Sequence, residues 1–325
     1  MDYILLIVGF FILIKCAGYL VEGSTNIARK FGISNLVIGL TIVAVGTSAP
    51  EIFINTVSAI KGETGLALGN IVGSNIANIL LILGISAIIY PLKAQNSTVY
   101  KEVPFTLLTS LALFFLANDV ILSKASKNII TFGDSLVLIL FFIIFLSYTF
   151  GIMKILEEEA EEHTEKLSTW KSVLYIILGS IGLALGAEVI VRSAESIATS
   201  FGISQTIIGL TIVAIGTSLP ELAASIVASF KKQTDIIIGN IVGSNIINIV
   251  LGLSLAGLIT PINIANGDII YIVIELGVTT LLMIFLYFSH SKRIIIGNKG
   301  VLNRWHGITF IILYILYLVF IGTHL

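Results

Sequence analysis

Ten apolar runs, each about as long as a bilayer-spanning helix, account for most of this chain of 325 residues. A transmembrane helix needs about 20 predominantly apolar residues. The runs fall near 3–20, 34–60, 66–90, 101–118, 130–155, 171–192, 204–230, 235–260, 268–288 and 307–323. The sequence therefore predicts an all-α membrane protein with ten transmembrane helices.

The composition agrees with a polytopic membrane protein. Charged residues make up 11% of the chain, against about 25% in soluble domains. A net charge of −1 argues against nucleic-acid binding, which requires a basic face. The single cysteine, Cys16, excludes a disulfide framework and a zinc cluster. We expect the lipid bilayer as the main partner, with no obligate protein partner.

The two halves of the chain carry nearly the same peptides, 170 residues apart. The matched pairs are NLVIGLTIVAVGTSAPE at 35–51 with QTIIGLTIVAIGTSLPE at 205–221, and GNIVGSNIANI at 69–79 with GNIVGSNIINI at 239–249. Ten helices in two repeats give five per repeat. Because five is odd, two halves that share a fold must be inverted across the membrane, a common transporter plan with the binding site between the repeats. The predicted repeats are 1–156 and 170–325.

Lysine and arginine residues predict the orientation. Thirteen of the 18 fall in loops on one side and four on the other, with Lys15 inside the first helix. Because cytoplasmic loops are enriched in these residues, both termini are predicted to be extracellular. The acidic segment 157–169 lacks the ligand spacing of an EF-hand, and we interpret it as a solvated cytoplasmic linker.

Each repeat places a glutamate directly after Thr-Ser-x-Pro in an apolar segment, at Glu51 and Glu221. A carboxylate inside a membrane is costly and suggests function. Pro50 and Pro220 remove a backbone donor and are expected to break helices 2 and 7 near the midplane. Freed carbonyls then face a cavity, where unwound backbone is tolerated. The carbonyls expected there are those of Ala44, Thr47, Ala214 and Thr217.

The GNIVGSN peptides supply a second polar wall. Two serine–asparagine pairs lie four residues apart on one helix face, Ser74 with Asn78 and Ser244 with Asn248. Asn75 and Asn245 are expected to bond the broken backbone of helices 2 and 7. A single polar residue of this kind usually joins two helices, but the duplicated set favours an ion site.

The predicted ligands are all oxygen atoms. Besides the two carboxylates and the freed carbonyls, they are the hydroxyls of Thr47, Ser48, Thr217 and Ser218. Oxygen-only sites suit hard cations such as Ca²⁺ or Na⁺, which would be transported substrates. No cofactor is expected.

These motifs resemble the two alpha repeats of the sodium/calcium exchangers, in the calcium/cation antiporter superfamily. The similar segments are 38–80 and 208–250, and the likeness extends over nearly the whole chain. The resemblance implies electrogenic exchange of several Na⁺ for one Ca²⁺ by alternating access, without an enzymatic reaction. The short linker is similar to that of prokaryotic members and implies a prokaryotic plasma membrane.

The resemblance also implies roles for the site residues. It places Ca²⁺ between Glu51 and Glu221, assisted by the carbonyls of Thr47 and Thr217. It places Na⁺ against the Ala44 carbonyl with Ser74, and against the Ala214 carbonyl with Ser244, and it puts Asn78 and Asn248 at the centre. Several relatives carry aspartate where this chain has Asn248. Two neutral amides leave a site charge of −2, from which we expect potassium independence.

The sequence also bears on three other functions. Exchange of H⁺ for Ca²⁺ on the same scaffold is an alternative, because buried glutamates can carry protons. A membrane protease would need HExxH or a nucleophile with a histidine partner, and the chain has neither arrangement. An open channel fits duplicated broken helices less well than alternating access does.

Overall fold

A computed structural model of the protein describes residues 2–156, 167–201, 214–265, 267–289 and 300–324. Ten helices of twelve or more residues form its body. They are α1 (Asp2–Lys30), α2 (Asn35–Ile60), α3 (Thr64–Ile89), α4 (Thr98–Leu116), α5 (Phe132–Leu156), α6 (Thr169–Ser200), α7 (Leu219–Phe230), α8 (Thr234–Ile259), α9 (Ile269–Phe288) and α10 (Arg304–His324). One-turn helices lie at Asp119–Leu122 and Ala214–Thr217.

Nine of the helices in the described part of the chain are long and apolar enough to cross a bilayer. The prediction of an all-α, multi-pass membrane protein is confirmed. The remaining helix, α7, has 12 residues. Residues 202–213, where the seventh span is predicted to begin, lie outside the described residues, so a tenth span stays a prediction.

The helices that carry the duplicated peptides lie at the centre. In α8, 94% of the most apolar segment is buried, and in α3 78%, against 17% in α10. Glycines bring α8 against α2, because a Cβ at Gly239 would lie 2.6 Å from the Leu36 carbonyl oxygen. Lipid therefore faces the outer helices, and polar groups on α3 and α8 are removed from it.

The predicted break of the second helix at Pro50 is not found. Regular α-helix runs through Pro50 from Ala44 to Ile60, and the irregular part is a π-helical segment, Gly39–Val43, just before it. A proline removes one donor. The single carbonyl that loses its partner is four residues earlier, at Gly46, so the bonds on either side hold the helix together. In the second half, Ser218 separates Ala214–Thr217 from α7, two residues before Pro220.

Two short antiparallel sheets join the halves of the chain. Strand β1 (Leu92–Lys93) pairs with β4 (Val301–Leu302), and β2 (Asn128–Ile130) pairs with β3 (Ile262–Ile264). Strands β1 and β3 follow α3 and α8, whereas β2 and β4 precede α5 and α10. The pairing is thus reciprocal, since the strand after the third helix of each half bonds the strand before the last helix of the other.

Candidate functional site

The two predicted glutamates lie in the buried centre, one from each half. Glu51 is 1% exposed and Glu221 is 0% exposed. Their carboxylates are close enough to interact electrostatically. Ser48 Oγ donates a hydrogen bond of 3.0 Å to Glu221 Oε1, and Ser244 faces the same carboxylate. Residues 170 positions apart in the sequence therefore meet at one point.

Two threonines are held by asparagines that sequence reasoning missed. Thr47 Oγ1 donates to Asn240 Oδ1 at 3.1 Å, and Thr217 Oγ1 donates to Asn70 Oδ1 at 3.3 Å. The two bonds are equivalent in the two repeats, because Thr47 corresponds to Thr217 and Asn240 to Asn70. The signal for Asn70 and Asn240 was present, because both belong to the duplicated GNIVGSN peptide.

Four asparagines cross-link α3 and α8 at the centre. Asn75 Nδ2 donates to the Asn245 carbonyl and Asn245 Nδ2 to the Asn75 carbonyl, both at 3.2 Å. Asn78 Nδ2 donates to Asn245 Oδ1 at 2.9 Å, and Asn248 Nδ2 to Asn75 Oδ1 at 3.1 Å. The backbone that Asn75 and Asn245 bond is thus that of α8 and α3, rather than that of helices 2 and 7, because α3 and α8 face each other directly.

Seven side-chain oxygens of the predicted site are buried without a hydrogen-bond partner in the described part of the protein. They are Oε2 of Glu51 and Glu221, Oγ of Ser74, Ser218 and Ser244, and Oδ1 of Asn78 and Asn248. Buried polar atoms are normally hydrogen-bonded. Such a concentration of oxygens fits a hard cation, which prefers oxygen ligands. The described residues form no group of three or more acidic, histidine or cysteine side chains, so two carboxylates and neutral oxygens make up the set.

The carbonyls of Ala44 and Thr47 are not freed by a break at Pro50, because both residues lie in the regular helix Ala44–Ile60. Two of the predicted backbone ligands, Ala44 and Ala214, instead lie beside irregular helix geometry. Ala44 is the first residue after the π-helical segment, and its carbonyl oxygen lies 3.4 Å from Thr47 Oγ1. Ala214 begins the one-turn helix before Ser218. Two further π-helical segments begin at Asn78 and at Asn248. Such segments are frequent at functional sites, but no local residue pattern in the sequence marked them.

A cavity of about 350 Å³ reaches the site from one side of the protein. Its walls include Ser74, Thr217 and Gly69, and its outer part is lined by Asp268 and Ile321. The duplicated glycines therefore differ in environment between the halves. Gly239 packs against α2, whereas its counterpart Gly69 lines the cavity and has no described atom within 4 Å of a Cβ placed on it.

A further buried acid, Glu275 on α9, was not predicted from the sequence. Its carboxylate is 0% exposed and accepts bonds from Ser110 and Thr279. The repeat gave no signal for it, because the equivalent position in the first half is Phe105. The usable signal was the rarity of a carboxylate within an apolar run.

The chain is similar to known membrane transporters over most of its length. A family model described as "Sodium/calcium exchanger protein" matches residues 1–151 and 171–323. The sodium/calcium exchanger MaX1 of Methanosarcina acetivorans is 29% identical over 98% of this chain and 97% of its own. The Ca²⁺/H⁺ antiporter ChaA of Bacillus subtilis is 26% identical over 86% and 81%.

A solved structure of the sodium-calcium exchanger NCX_Mj has a TM-score of 0.82 and 32% identity, covering 98% of each chain. The family model covers both halves of the chain, and the structural match covers nearly all of it. The chain therefore belongs to the sodium/calcium exchanger family, whose members are secondary transporters.

Proposed function

We propose that this Ca²⁺ antiporter exchanges Na⁺ for Ca²⁺ electrogenically and without K⁺, by alternating access. The observation that carries the proposal is that Glu51 and Glu221 meet where seven side-chain oxygens, one from each glutamate among them, are buried without a partner among the described residues. Oxygen ligands and two carboxylates match the preference of Ca²⁺. One Ca²⁺ cancels a site charge of −2, whereas three Na⁺ leave +1, so the exchange moves charge.

The proposed ligands follow the duplicated positions. Ca²⁺ lies between the two glutamates, with the carbonyls of Thr47 and Thr217. One Na⁺ takes the Ala44 carbonyl and Ser74, and another takes the Ala214 carbonyl and Ser244. Ser48, Ser218, Asn75 and Asn245 support these groups, while Asn78 and Asn248 lie at the centre. The Ser48–Glu221 bond and the four asparagine bonds support this assignment.

The strand pairs support ten spans in two inverted repeats, 1–156 and 170–325, joined by the linker 157–169. Paired strands must lie on the same side of a membrane. Three long helices, α5, α6 and α8, lie between β2 and β3 in the chain, together with α7. Because β2 and β3 are on the same side, the chain between them must cross the membrane an even number of times, so we infer that α7 also ends a crossing segment. Five crossings, α4 to α8, then lie between β1 and β3, and these equivalent strands are on opposite sides of the membrane.

The charge bias of the loops supports one orientation, and that orientation decides the side on which the cavity opens. With both termini outside, the start of α3, the start of α9 and the end of α10 all lie on the extracellular side. These ends carry Gly65, Asp268 and Ile321, which line the cavity. The cavity would then give extracellular ions access to Ser74 and Thr217. The membrane we propose is a prokaryotic plasma membrane.

The test is Na⁺-driven ⁴⁵Ca²⁺ uptake into proteoliposomes. Glu51→Gln and Glu221→Gln each keep the shape of the side chain but remove one of two charges, so uptake should fall to background. Glu188→Gln is the matched control, because Glu188 is exposed and pairs with Arg192 on the surface of α6. Normal uptake by either site variant, with normal insertion, would remove the core of the proposal.

The second candidate is H⁺/Ca²⁺ antiport, favoured by the similarity to ChaA. Uptake of ⁴⁵Ca²⁺ into the same vesicles under different gradients distinguishes the two functions. An imposed Na⁺ gradient at equal pH on both sides should drive uptake, and a pH gradient without Na⁺ should not. Uptake that follows the pH gradient and ignores Na⁺ would select the proton-coupled function.

A further inference from the structure

Glu275 is a fully buried carboxylate that the proposed ion site does not use. Ser110 Oγ on α4 donates to its Oε1 at 2.8 Å, and Thr279 Oγ1 donates at 3.2 Å from one turn later on α9. Oε2 is buried and accepts no hydrogen bond from the described residues. The Asn75 side chain faces the same carboxylate. Asn75 also accepts the hydrogen bond from Asn248 Nδ2, so it connects Glu275 with the central site.

The surroundings of Glu275 can satisfy both of its protonation states. Ser110 Oγ also lies 3.1 Å from the Thr106 carbonyl oxygen. A hydroxyl group can rotate, and it both donates and accepts. When Glu275 is ionised, Ser110 donates to it. When Glu275 carries a proton, the carboxyl donates to Ser110 Oγ, and Ser110 turns its own proton to Thr106. The heavy atoms need not move.

Glu275 takes part in no salt bridge with the described residues. Of the helices packed on this part of α9, α3 contains no acid or base, and α4 carries Glu102 and Lys101 near its start. Glu102 precedes Ser110 by eight residues, about 12 Å along a helix. On α9 itself, Tyr271 lies one turn earlier. A carboxylate charge here lacks a fixed partner, and a cation at the central site is the opposite charge available to offset it.

We propose that Glu275 is a proton-binding site coupled through Asn75 to the central ion site. This proposal rests on the proposed function. Cation binding at the centre favours the ionised carboxylate, so the O–H bond breaks and the proton leaves to water. The cavity wall includes Tyr271, one turn from Glu275, and offers the exit. The proton returns when the cations leave.

The coupling fixes the direction of a pH effect. At low pH, Glu275 is neutral and Ca²⁺ meets only the two central charges. At higher pH, the third carboxylate adds attraction, so Ca²⁺ affinity rises with pH, by at most about tenfold per pH unit for one linked proton. Glu275→Gln fixes the neutral state and should remove this component, leaving whatever Glu51 and Glu221 contribute.

The experiment is calorimetric Ca²⁺ binding to the full chain in lipid nanodiscs between pH 6 and 9. The titrations are repeated in buffers of different ionisation enthalpy, because the change in measured binding enthalpy between buffers gives the number of protons released per Ca²⁺. Glu275→Gln should flatten the affinity profile and lower the proton count. Glu102→Gln is the matched control, a buried glutamate on α4 that is hydrogen-bonded to Tyr148 instead, and it should keep the wild-type profile.

A second variant tests the switch without removing the acid. Ser110→Ala takes away a charge-assisted hydrogen bond, which is the stronger kind, so the steep part of the profile should move to higher pH. A wild-type profile and proton count in Glu275→Gln would overturn the proposal, and so would equal losses in Glu102→Gln. Absence of Ca²⁺ binding by the wild type would instead remove the central site, and this proposal with it.

Discussion

At the centre of the protein, the choice between amide and carboxylate side chains sets both charge and hydrogen bonding. Asn248 donates to Asn75 through Nδ2 and keeps Oδ1 free of described partners. Asn78 does the same toward Asn245. An ionised aspartate only accepts hydrogen bonds, so it would lose this bond and add a negative charge. The two amides thus orient the centre while holding the proposed charge at −2.

Asn248→Asp should move the voltage dependence of exchange from one half-reaction to the other. At a pH where Glu275 stays protonated, a charge of −2 leaves the Ca²⁺-loaded site neutral, and exchange of Ca²⁺ for Ca²⁺ is insensitive to voltage. With −3, the Ca²⁺-loaded site carries −1, and this exchange becomes voltage-dependent. Isotope exchange in proteoliposomes under potassium-diffusion potentials measures the change, with Asn78→Asp as the equivalent substitution. Unaltered voltage dependence in both variants would argue against their central position.

At the scale of the element, hydropathy predicted the spans well but missed the end of a helix that continues into polar sequence. The run 34–60 became Asn35–Ile60, and 235–260 became Thr234–Ile259. The run 171–192 became a helix that extends to Ser200. Apolar residues mark only the part of a helix in lipid, whereas its backbone bonds continue into polar sequence. The π-helical segments at Asn78 and Asn248 were not predictable, because they depend on how α3 and α8 pack together.

Packing between elements predicts opposite effects for the same substitution at two glycines. A Cβ at Gly239 would lie 2.6 Å from the Leu36 carbonyl oxygen and 3.0 Å from the Leu40 nitrogen. Since these are backbone atoms, α2 and α8 must separate, and Gly239→Ala should destabilise the protein by about 1–3 kcal/mol. Gly277 in α9 has no described atom within 4 Å of such a Cβ. Gly277→Ala should therefore stabilise by up to about 1 kcal/mol.

Thermal unfolding in detergent, followed by loss of the monodisperse chromatographic peak, measures both glycine variants. Their midpoints should move in opposite directions from that of the wild type. A Gly239→Ala protein as stable as the wild type would contradict the close approach of α2 and α8.

At the scale of the whole molecule, the constant offset of 170 residues predicted which residues meet but not all of the acids involved. The reciprocal bonds of Asn75 and Asn245 join equivalent positions, as the duplication indicated. Glu275 was missed because it breaks the duplication, and only the tertiary structure brings it beside Asn75. Duplicated residues could therefore be found by comparing the halves, whereas a group present in one half needed the packed structure.

Inversion of the two halves predicts opposite accessibility for two equivalent lysines. Lys61 lies in the turn between α2 and α3, and Lys231 lies in the turn between α7 and α8, and both are exposed. In a Cys16→Ser background, Lys61→Cys should react with an impermeant maleimide in intact cells. Lys231→Cys should react only after permeabilisation. Labelling of both from the same side would refute the inverted repeats. The opposite assignment, with Lys231→Cys reacting in intact cells, would keep the inversion and place both termini inside.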